Sequence, residues 1–349
     1  EYEDLGQEKE QIISTISGLS ADNQDEANLL DRIWKILNSG TISTNIDNAF
    51  DIPLQDENMG DKEKLLVRQD MTKIFSTIES DYKTMDTLLK RLEQGGAVDV
   101  GALSKPLNTF SAVFGDEVGS AAFRKLAAYG VGKKQKGPGE YGFACLSNKI
   151  RLAAGEGDLE VDGIGKVELK AAMSSSGGRI GYGGGSQKAK RAVLEKYKEK
   201  LPTVIGAIGA KGGSLGLGPF MNALNTDLPT SEPNNQKIRK ALMLDLLQMD
   251  MENYAGPIAD KIATTENAGQ VELTYLAQNF EWYKNRDNFD ALLLMSIPNQ
   301  KTAMLRNAND LAAFRQGGHA GGLAISIIPT QAGAGREQWA QLTLNKAMI

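Results

Sequence analysis

Apolar residues recur at helical spacing along the first hundred positions of the chain. Residues 24–38 repeat apolar side chains every three or four positions and are followed by Gly40, which predicts an amphipathic helix. Polar residues 41–60 predict a linker, and residues 61–94 carry the longest apolar seam, again in steps of three or four. This seam predicts one long helix that is either a coiled coil, able to dimerise or to dock on an assembly, or a partner of residues 24–38 in an antiparallel hairpin.

The pattern changes after residue 100. Helical spacing returns in several segments, including the basic stretch 187–200, whereas residues 174–186 hold six glycines without periodicity and predict a mobile loop. Alternating or continuously apolar runs predict strands at residues 157–172, 289–297, 322–329 and 338–344. Helices that lie before and between two groups of strands indicate a mixed α/β or α+β fold with insertions.

Rare residues exclude several kinds of chemistry. The chain of 349 residues, enough for roughly two or three domains, contains one cysteine, Cys145, and one histidine, His319. An internal disulfide needs a pair of cysteines and a structural zinc site needs about four Cys or His ligands, so neither is expected. No run approaches the roughly 18 apolar residues of a membrane span, and residues 1–10 lack the apolar core of a secretory signal, so we expect no membrane as partner.

Charge is distributed unevenly along the chain, whose net charge is −5. Residues 1–100 hold 21 acidic and 10 basic side chains, a net of −11, whereas residues 101–349 hold 23 acidic and 29 basic side chains, a net of +6. A basic body with an acidic extension favours binding to a polyanion. We therefore expect an all-helical extension over residues 1–100 and a second domain over residues 101–349.

The most informative stretch, residues 157–171, predicts a β-hairpin. Apolar residues alternate on both sides of Asp162-Gly163, a dipeptide typical of tight turns. Alternation places Glu168 and Lys170 on one face of the second strand, and closure of the hairpin brings Asp158 beside them.

Two carboxylates and an ammonium at one point indicate a cation site. The carboxylates repel each other, and Mg²⁺ relieves this repulsion because it prefers carboxylate oxygens and water. An ion held there lowers the pKa of a bound water and offsets charge on a phosphate, while Lys170 positions the water or stabilises the phosphate. The sequence therefore predicts the minimum set of groups for phosphodiester hydrolysis.

The spacing of Asp158, nine residues and then Glu168-Leu169-Lys170 resembles the signature of the PD-(D/E)XK nucleases, the restriction-endonuclease-like superfamily. In that superfamily an acidic residue on the preceding helix often joins the metal site, and Glu140 begins a predicted helix 18 positions before Asp158. Gly157 stands where the superfamily usually has a proline. The resemblance is close around the hairpin and loose over residues 130–349.

This resemblance implies a mixed α/β protein with a restriction-endonuclease-like core and a helical insertion at residues 201–285. It also implies a Mg²⁺-dependent DNA endonuclease in which Mn²⁺ can substitute. The implied catalytic residues are Asp158, Glu168 and Lys170, and the implied metal ligands are Glu140, Asp158 and Glu168. The basic residues that follow the hairpin are the expected DNA contacts, namely Arg179, Lys188, Lys190 and Arg191. The style of the chain suggests a bacteriophage protein, located in the host cytoplasm or the virion.

Two alternatives stay open. The first alternative is a structural or assembly protein of a phage virion that carries a degenerate nuclease-like fold. Such a protein would form homo-oligomers, or bind an assembly partner, through the helix over residues 61–94. A third hypothesis is a nucleic-acid binder without catalysis, whose retention of DNA would weaken with salt.

Overall fold

The structure is a computed structural model of the chain, and it describes residues 24–49, 57–129, 137–153, 155–172, 179–210, 213–317, 323–329 and 339–344. The chain divides into two compact units. Unit 1 comprises residues 1–171 and 293–304, and unit 2 comprises residues 172–292 and 305–349. The expected mixed α/β class is confirmed at this coarse level. Within the described segments, no helix combines the length and the apolar character needed to cross a bilayer.

Unit 1 combines helices with one six-stranded sheet. Its described helices are α1 (Gln24–Asn38), α2 (Gly40–Ala49), α3 (Glu57–Ser76), α4 (Tyr82–Glu93), α5 (Val100–Leu103), α6 (Phe110–Phe114), α7 (Glu117–Ala127) and α8 (Glu140–Leu146). Its strands are β1 (Asn108–Thr109), β2 (Ile150–Leu152), β3 (Leu159–Val161), β4 (Gly165–Ala172), β7 (Ala291–Ser296) and β8 (Lys301–Leu305). The strand order is β1-β8-β7-β4-β3-β2, so β4 lies inside the sheet, between β7 and β3.

Unit 2 contains a second, four-stranded sheet with the order β5-β10-β9-β6, in which every pair is antiparallel. Its strands are β5 (Arg179–Ser186), β6 (Leu215–Gly216), β9 (Leu323–Ile328) and β10 (Trp339–Leu344). Its described helices are α9 (Gln187–Lys196), α10 (Pro202–Ala210), α11 (Leu217–Asp227), α12 (Pro233–Met251), α13 (Ala255–Thr264), α14 (Ala268–Asp287) and α15 (Ala308–Gln316).

The predicted helix over residues 24–38 is confirmed with these bounds, but the single helix expected over residues 61–94 is wrong. Helix α3 ends at Ser76, and α4 begins after Asp81, whose carboxylate accepts a hydrogen bond from the Thr84 N–H at 2.9 Å. Such an N-cap satisfies a backbone donor that the helix leaves unpaired and so starts a new helix.

Much of the apolar seam of these two helices is buried inside unit 1, although Tyr82 is 45% exposed. Phe75 of α3 and Leu89 of α4 line the same interior as Ile33 and Leu37 of α1. These helices therefore pack with residues 24–38 as the second alternative predicts, but as two helices rather than one. The boundary expected at residue 100 is also wrong, because residues on both sides of it belong to unit 1.

Two further expectations on local structure are corrected. Residues 41–49, for which the sequence predicts a linker, belong to helix α2, because Ile42, Ser43 and Asn45 are buried by tertiary packing. Residues 179–186, expected in a mobile loop, form strand β5, because their backbone pairs with β10. Residues 174–178 of that predicted loop lie outside the described residues.

Helix α8 rests on a cluster of phenylalanine rings in the core of unit 1. Phe123 lies 4.2 Å from Phe114 and 4.6 Å from Phe143 between ring centroids, and all three side chains are fully buried. A Cβ added at Gly142 of α8 would lie 3.0 Å from the Phe123 ring, so the helix backbone sits directly on the cluster. Aromatic packing of this kind fixes the place of α8.

The C-terminal end of α8 is held by one buried side chain of α2. The Asn45 amide nitrogen donates to the carbonyl oxygens of Ala144 at 3.2 Å, Ser147 at 3.3 Å and Ile150 at 2.9 Å. The last carbonyls of a helix have no intrahelical donor, so this amide stabilises both the end of α8 and the turn into β2.

We expect that Asn45→Ala lowers the free energy of unfolding by about 1–3 kcal/mol, because buried carbonyls lose their donor. Urea titration followed by circular dichroism measures the change. The matched control is Asn38→Ala, since the exposed Asn38 amide donates to the Trp34 carbonyl oxygen at 2.8 Å at the end of α1. A loss no larger than that of this control would contradict the structural role of Asn45.

Candidate active site

The predicted hairpin is confirmed as strands β3 and β4. Leu159 pairs with Val167 and Glu160 pairs with Lys166 in an antiparallel ladder. The turn between the strands uses Gly163 at φ +77° and Gly165 at φ +104°. These values lie in the left-handed region that glycine enters without steric cost, which is why the turn forms at this point of the sequence.

Asp158 precedes β3 and is held against the second strand of the hairpin. Its backbone N–H donates to the Val167 carbonyl oxygen at 3.0 Å, and its Oδ2 accepts from the Leu169 N–H at 2.8 Å. The ladder register, extended by one position, places Asp158 opposite Glu168. The Asp158 carboxylate is thus oriented by backbone atoms rather than by a flexible side chain.

Lys170 brings the charges of the hairpin to one point. Its Nζ forms an ion pair with the Glu168 carboxylate and lies 3.7 Å from Asp158 Oδ2. It also donates to the Leu169 carbonyl oxygen at 3.2 Å. The side chains of Lys170, Asp158 and Glu168 are 23%, 25% and 9% exposed, so the group is largely shielded from water while one side stays accessible.

The pKa of Lys170 is raised above its ordinary value. Burial of the ammonium acts to lower the pKa, but the negative charges of Asp158, Glu168 and Glu140 and the hydrogen bond to Glu168 outweigh it. Lys170 therefore keeps its proton at neutral pH and acts as a cation rather than as a base.

Glu140 lies at the first position of α8 and is 3% exposed. Its Oε1 accepts a hydrogen bond from the Gly137 N–H, and its charge acts on Lys170. Gly139, at φ +91°, precedes it, and a Cβ there would lie 2.6 Å from Met295 Cε of β7. The structure thus brings all four predicted residues, from α8 and the hairpin, into one neighbourhood of unit 1.

The donor chemistry of this neighbourhood fits a hard divalent cation, since it offers carboxylate oxygens. The Lys170 ammonium, already paired with two of these carboxylates, shows that positive charge is stabilised there. In the arrangement observed, however, the described residues contain no group of three or more His, Cys, Asp or Glu side chains placed to hold a metal ion. The residues fit the ion by chemistry and charge, and ligation would require their side chains to rotate.

Other charged side chains of the hairpin form ordinary surface pairs. Lys166 pairs with Glu156 at 2.9 Å and Arg151 pairs with Asp162 at 3.0 Å, all with side chains at least 39% exposed. Exposed pairs of this kind contribute little to stability. The shielding that marks Glu168 and Lys170 is therefore not a general property of the hairpin.

The residues expected to contact DNA differ in their exposure to solvent. Lys188 and Arg191 are exposed on α9, whereas the side chain of Arg179 lies outside the described residues. The prediction for Lys190 is wrong, because Lys190 is fully buried, forms an ion pair with Asp250 and donates to the Ile327 carbonyl oxygen at 3.0 Å. Burial lowers the pKa of Lys190 despite the opposing charge of Asp250.

Sequence reasoning missed the backbone donors that hold the acids, namely the N–H groups of Leu169 and Gly137. The only signal for the second is the run Gly137-Pro138-Gly139 just before Glu140.

Cys145 is buried in unit 1 as expected, and burial raises the pKa of its thiol to about 12. It is therefore not a nucleophile at neutral pH. His319 lies outside the described residues.

Comparison of the chain with protein families, with curated proteins and with solved structures finds no match. The chemistry of the candidate site must therefore be argued from its own residues.

Proposed function

We propose that the protein is a divalent-metal-dependent endonuclease that hydrolyses phosphodiester bonds of DNA. The observation that carries the proposal is the convergence of Asp158, Glu168 and Lys170 in one largely shielded cluster of unit 1, close enough to Glu140 for its charge to act on Lys170. The order of these residues, an acid at the start of a helix and then Asp and Glu-x-Lys on a hairpin, supports the proposed PD-(D/E)XK type. On this proposal the sheet that contains β4 is the restriction-endonuclease-like core.

The three carboxylates of Glu140, Asp158 and Glu168 would hold Mg²⁺ or Mn²⁺. The ion, when bound, supplies a water of lowered pKa and offsets charge on the phosphate. The Leu169 N–H orients the Asp158 carboxylate, and the Gly137 N–H orients Glu140. Asp158 and Glu140 are therefore each held at one carboxylate oxygen by a backbone donor.

Lys170 acts on the substrate as a cation. Because its pKa is raised, its ammonium keeps its proton at neutral pH and donates hydrogen bonds to the phosphate oxygens as negative charge develops on them. It does not take a proton from the attacking water. On α9, the exposed Lys188 and Arg191 are the proposed contacts to the DNA backbone.

The test is cleavage of supercoiled plasmid, linear duplex and single-stranded DNA by the full chain. We expect nicking or cutting with Mg²⁺ or Mn²⁺, its loss on addition of EDTA and its return with excess Mg²⁺. The activity must co-elute with the protein in size-exclusion chromatography, which separates it from a contaminating nuclease. Absence of cleavage on all DNA forms with either ion would reject the proposal, and a parallel RNA substrate tests the choice of nucleic acid.

The alternative is a structural or assembly protein with a degenerate site of this type. The ion pairs of Lys170 favour it, because they partly balance the acidic charges without any metal ion. A protein that leaves every substrate intact but elutes as a stable oligomer would support this alternative. Salt-sensitive retention of DNA without cleavage would instead support a non-catalytic nucleic-acid binder.

A further inference from the structure

The ammonium of Lys170 occupies the position in which a cation balances the acids of the candidate site. It pairs with Glu168 and lies 3.7 Å from Asp158 Oδ2. The Glu168 side chain, only 9% exposed, is directed to this ammonium rather than to water.

A divalent ion at the same carboxylates would lie close to the Lys170 ammonium. Two like charges within about 4 Å repel strongly where water is largely excluded. The four-carbon stem of lysine is flexible, so the ammonium can move away, whereas the Asp158 carboxylate is held by the Leu169 N–H. Lys170 is therefore the group that would move when a divalent ion binds.

We propose that Lys170 is an internal counter-cation that competes with the divalent ion for Asp158 and Glu168, so that metal binds only when the ammonium leaves the carboxylates. This inference rests on the proposed function, because it concerns the metal site of that function. It assigns Lys170 a second role, the control of metal loading, beside its role toward the phosphate.

The experiment measures Mn²⁺ binding to the full chain by isothermal titration calorimetry and by the electron paramagnetic resonance signal of free Mn²⁺. We expect Lys170→Met to bind Mn²⁺ at least about tenfold more tightly than the unaltered protein, because the competing charge is gone. The matched control is Lys166→Met on the same strand. Lys166 pairs with the exposed Glu156 at 2.9 Å, so its removal should change the affinity less than about twofold.

Equal or weaker binding of Mn²⁺ by Lys170→Met would overturn the inference, and so would the absence of Mn²⁺ binding in both proteins. Lys170→Gln is the second variant, since it removes the charge but keeps a hydrogen-bond donor for Glu168. Lys170→Gln should show the same gain in Mn²⁺ affinity, and it replaces Lys170→Met in the test if that variant does not fold.

The result is distinguishable from that of the cleavage assay. A gain in Mn²⁺ affinity without cleavage by the unaltered protein supports the counter-cation and rejects the nuclease. Cleavage by the unaltered protein with unchanged affinity in the variants overturns the counter-cation alone.

Discussion

If the protein is the proposed nuclease, we expect replacement of Lys170 by methionine to lower the rate of DNA cleavage about 10²–10³-fold, equivalent to about 2.7–4 kcal/mol of transition-state stabilisation. In the proposed reaction, the substitution removes a shielded cation that would donate to the phosphate as its charge develops. Lys170 is 23% exposed and keeps its proton at neutral pH, so its full charge acts in a site with little water. The measurement is the single-turnover rate at saturating Mg²⁺, which removes any effect of metal affinity.

Lys166→Met is the control for this prediction, because Lys166 lies on the same strand and is paired with Glu156 on the surface. We expect its cleavage rate to stay within about threefold of that of the unaltered protein. If Lys170→Met also stayed within that range, Lys170 would have no part in the reaction. Together with the expected gain in Mn²⁺ affinity, a large loss of rate would show that the two roles of Lys170 oppose each other.

Substitution of Asp250 by alanine lowers the free energy of unfolding by about 3–5 kcal/mol, because it leaves a buried cation without its partner. The Lys190 side chain is 0% exposed and that of Asp250 is 2% exposed, so water cannot replace the lost carboxylate. Lys190 would keep only weaker partners such as the Ile327 carbonyl oxygen at 3.0 Å. Urea titration of the full chain measures the loss.

The pH dependence of this loss has a defined sign. Burial already lowers the pKa of Lys190, and removal of Asp250 lowers it further, whereas in the unfolded chain it returns to about 10.5. Between these two pKa values the unfolded chain binds more protons, so the stability of the variant rises with pH. The difference in the free energy of unfolding between the variant and the unaltered protein should therefore decrease as the pH rises from neutral toward 10.5.

Two controls isolate the buried charge as the cause. Asp245→Ala, on the same helix, removes a carboxylate that is 41% exposed and accepts from the Tyr197 hydroxyl at 3.1 Å, so we expect a loss below about 1 kcal/mol. The double variant Lys190→Met/Asp250→Leu should regain most of the lost stability, because apolar side chains of similar volume suit the same interior. If Asp250→Ala were no less stable than Asp245→Ala, the prediction would be refuted.

Local signals predicted the hairpin and several helices well. Asp162-Gly163 and Gly165 supply the backbone conformation of the turn, and the apolar alternation around it sets the register that brings Asp158 to Glu168 and Lys170. The helix over residues 24–38 likewise follows from its own apolar spacing. These features were predictable because neighbours in the sequence determine them.

Features that depend on distant parts of the chain were not predictable in this way. Strand β5 has no apolar alternation and exists because β10, about 160 residues later, pairs with it. Lys190 lies in a basic segment typical of a surface, and its burial depends on Asp250, 60 positions away. The break near Asp81 was hidden because the buried Ile78 continues the apolar spacing through the turn between α3 and α4.

The discontinuity of unit 1 has a consequence for its biogenesis. Strand β4, which carries Glu168 and Lys170, hydrogen-bonds in the sheet with β7, and β7 follows it only after the first segment of unit 2, residues 172–292. During translation, the ribosome must complete well over a hundred further residues before that neighbour emerges. The strand therefore spends several seconds or more with an unpaired edge at a synthesis rate of roughly 5–20 residues per second, and an unpaired edge makes a nascent chain prone to aggregation.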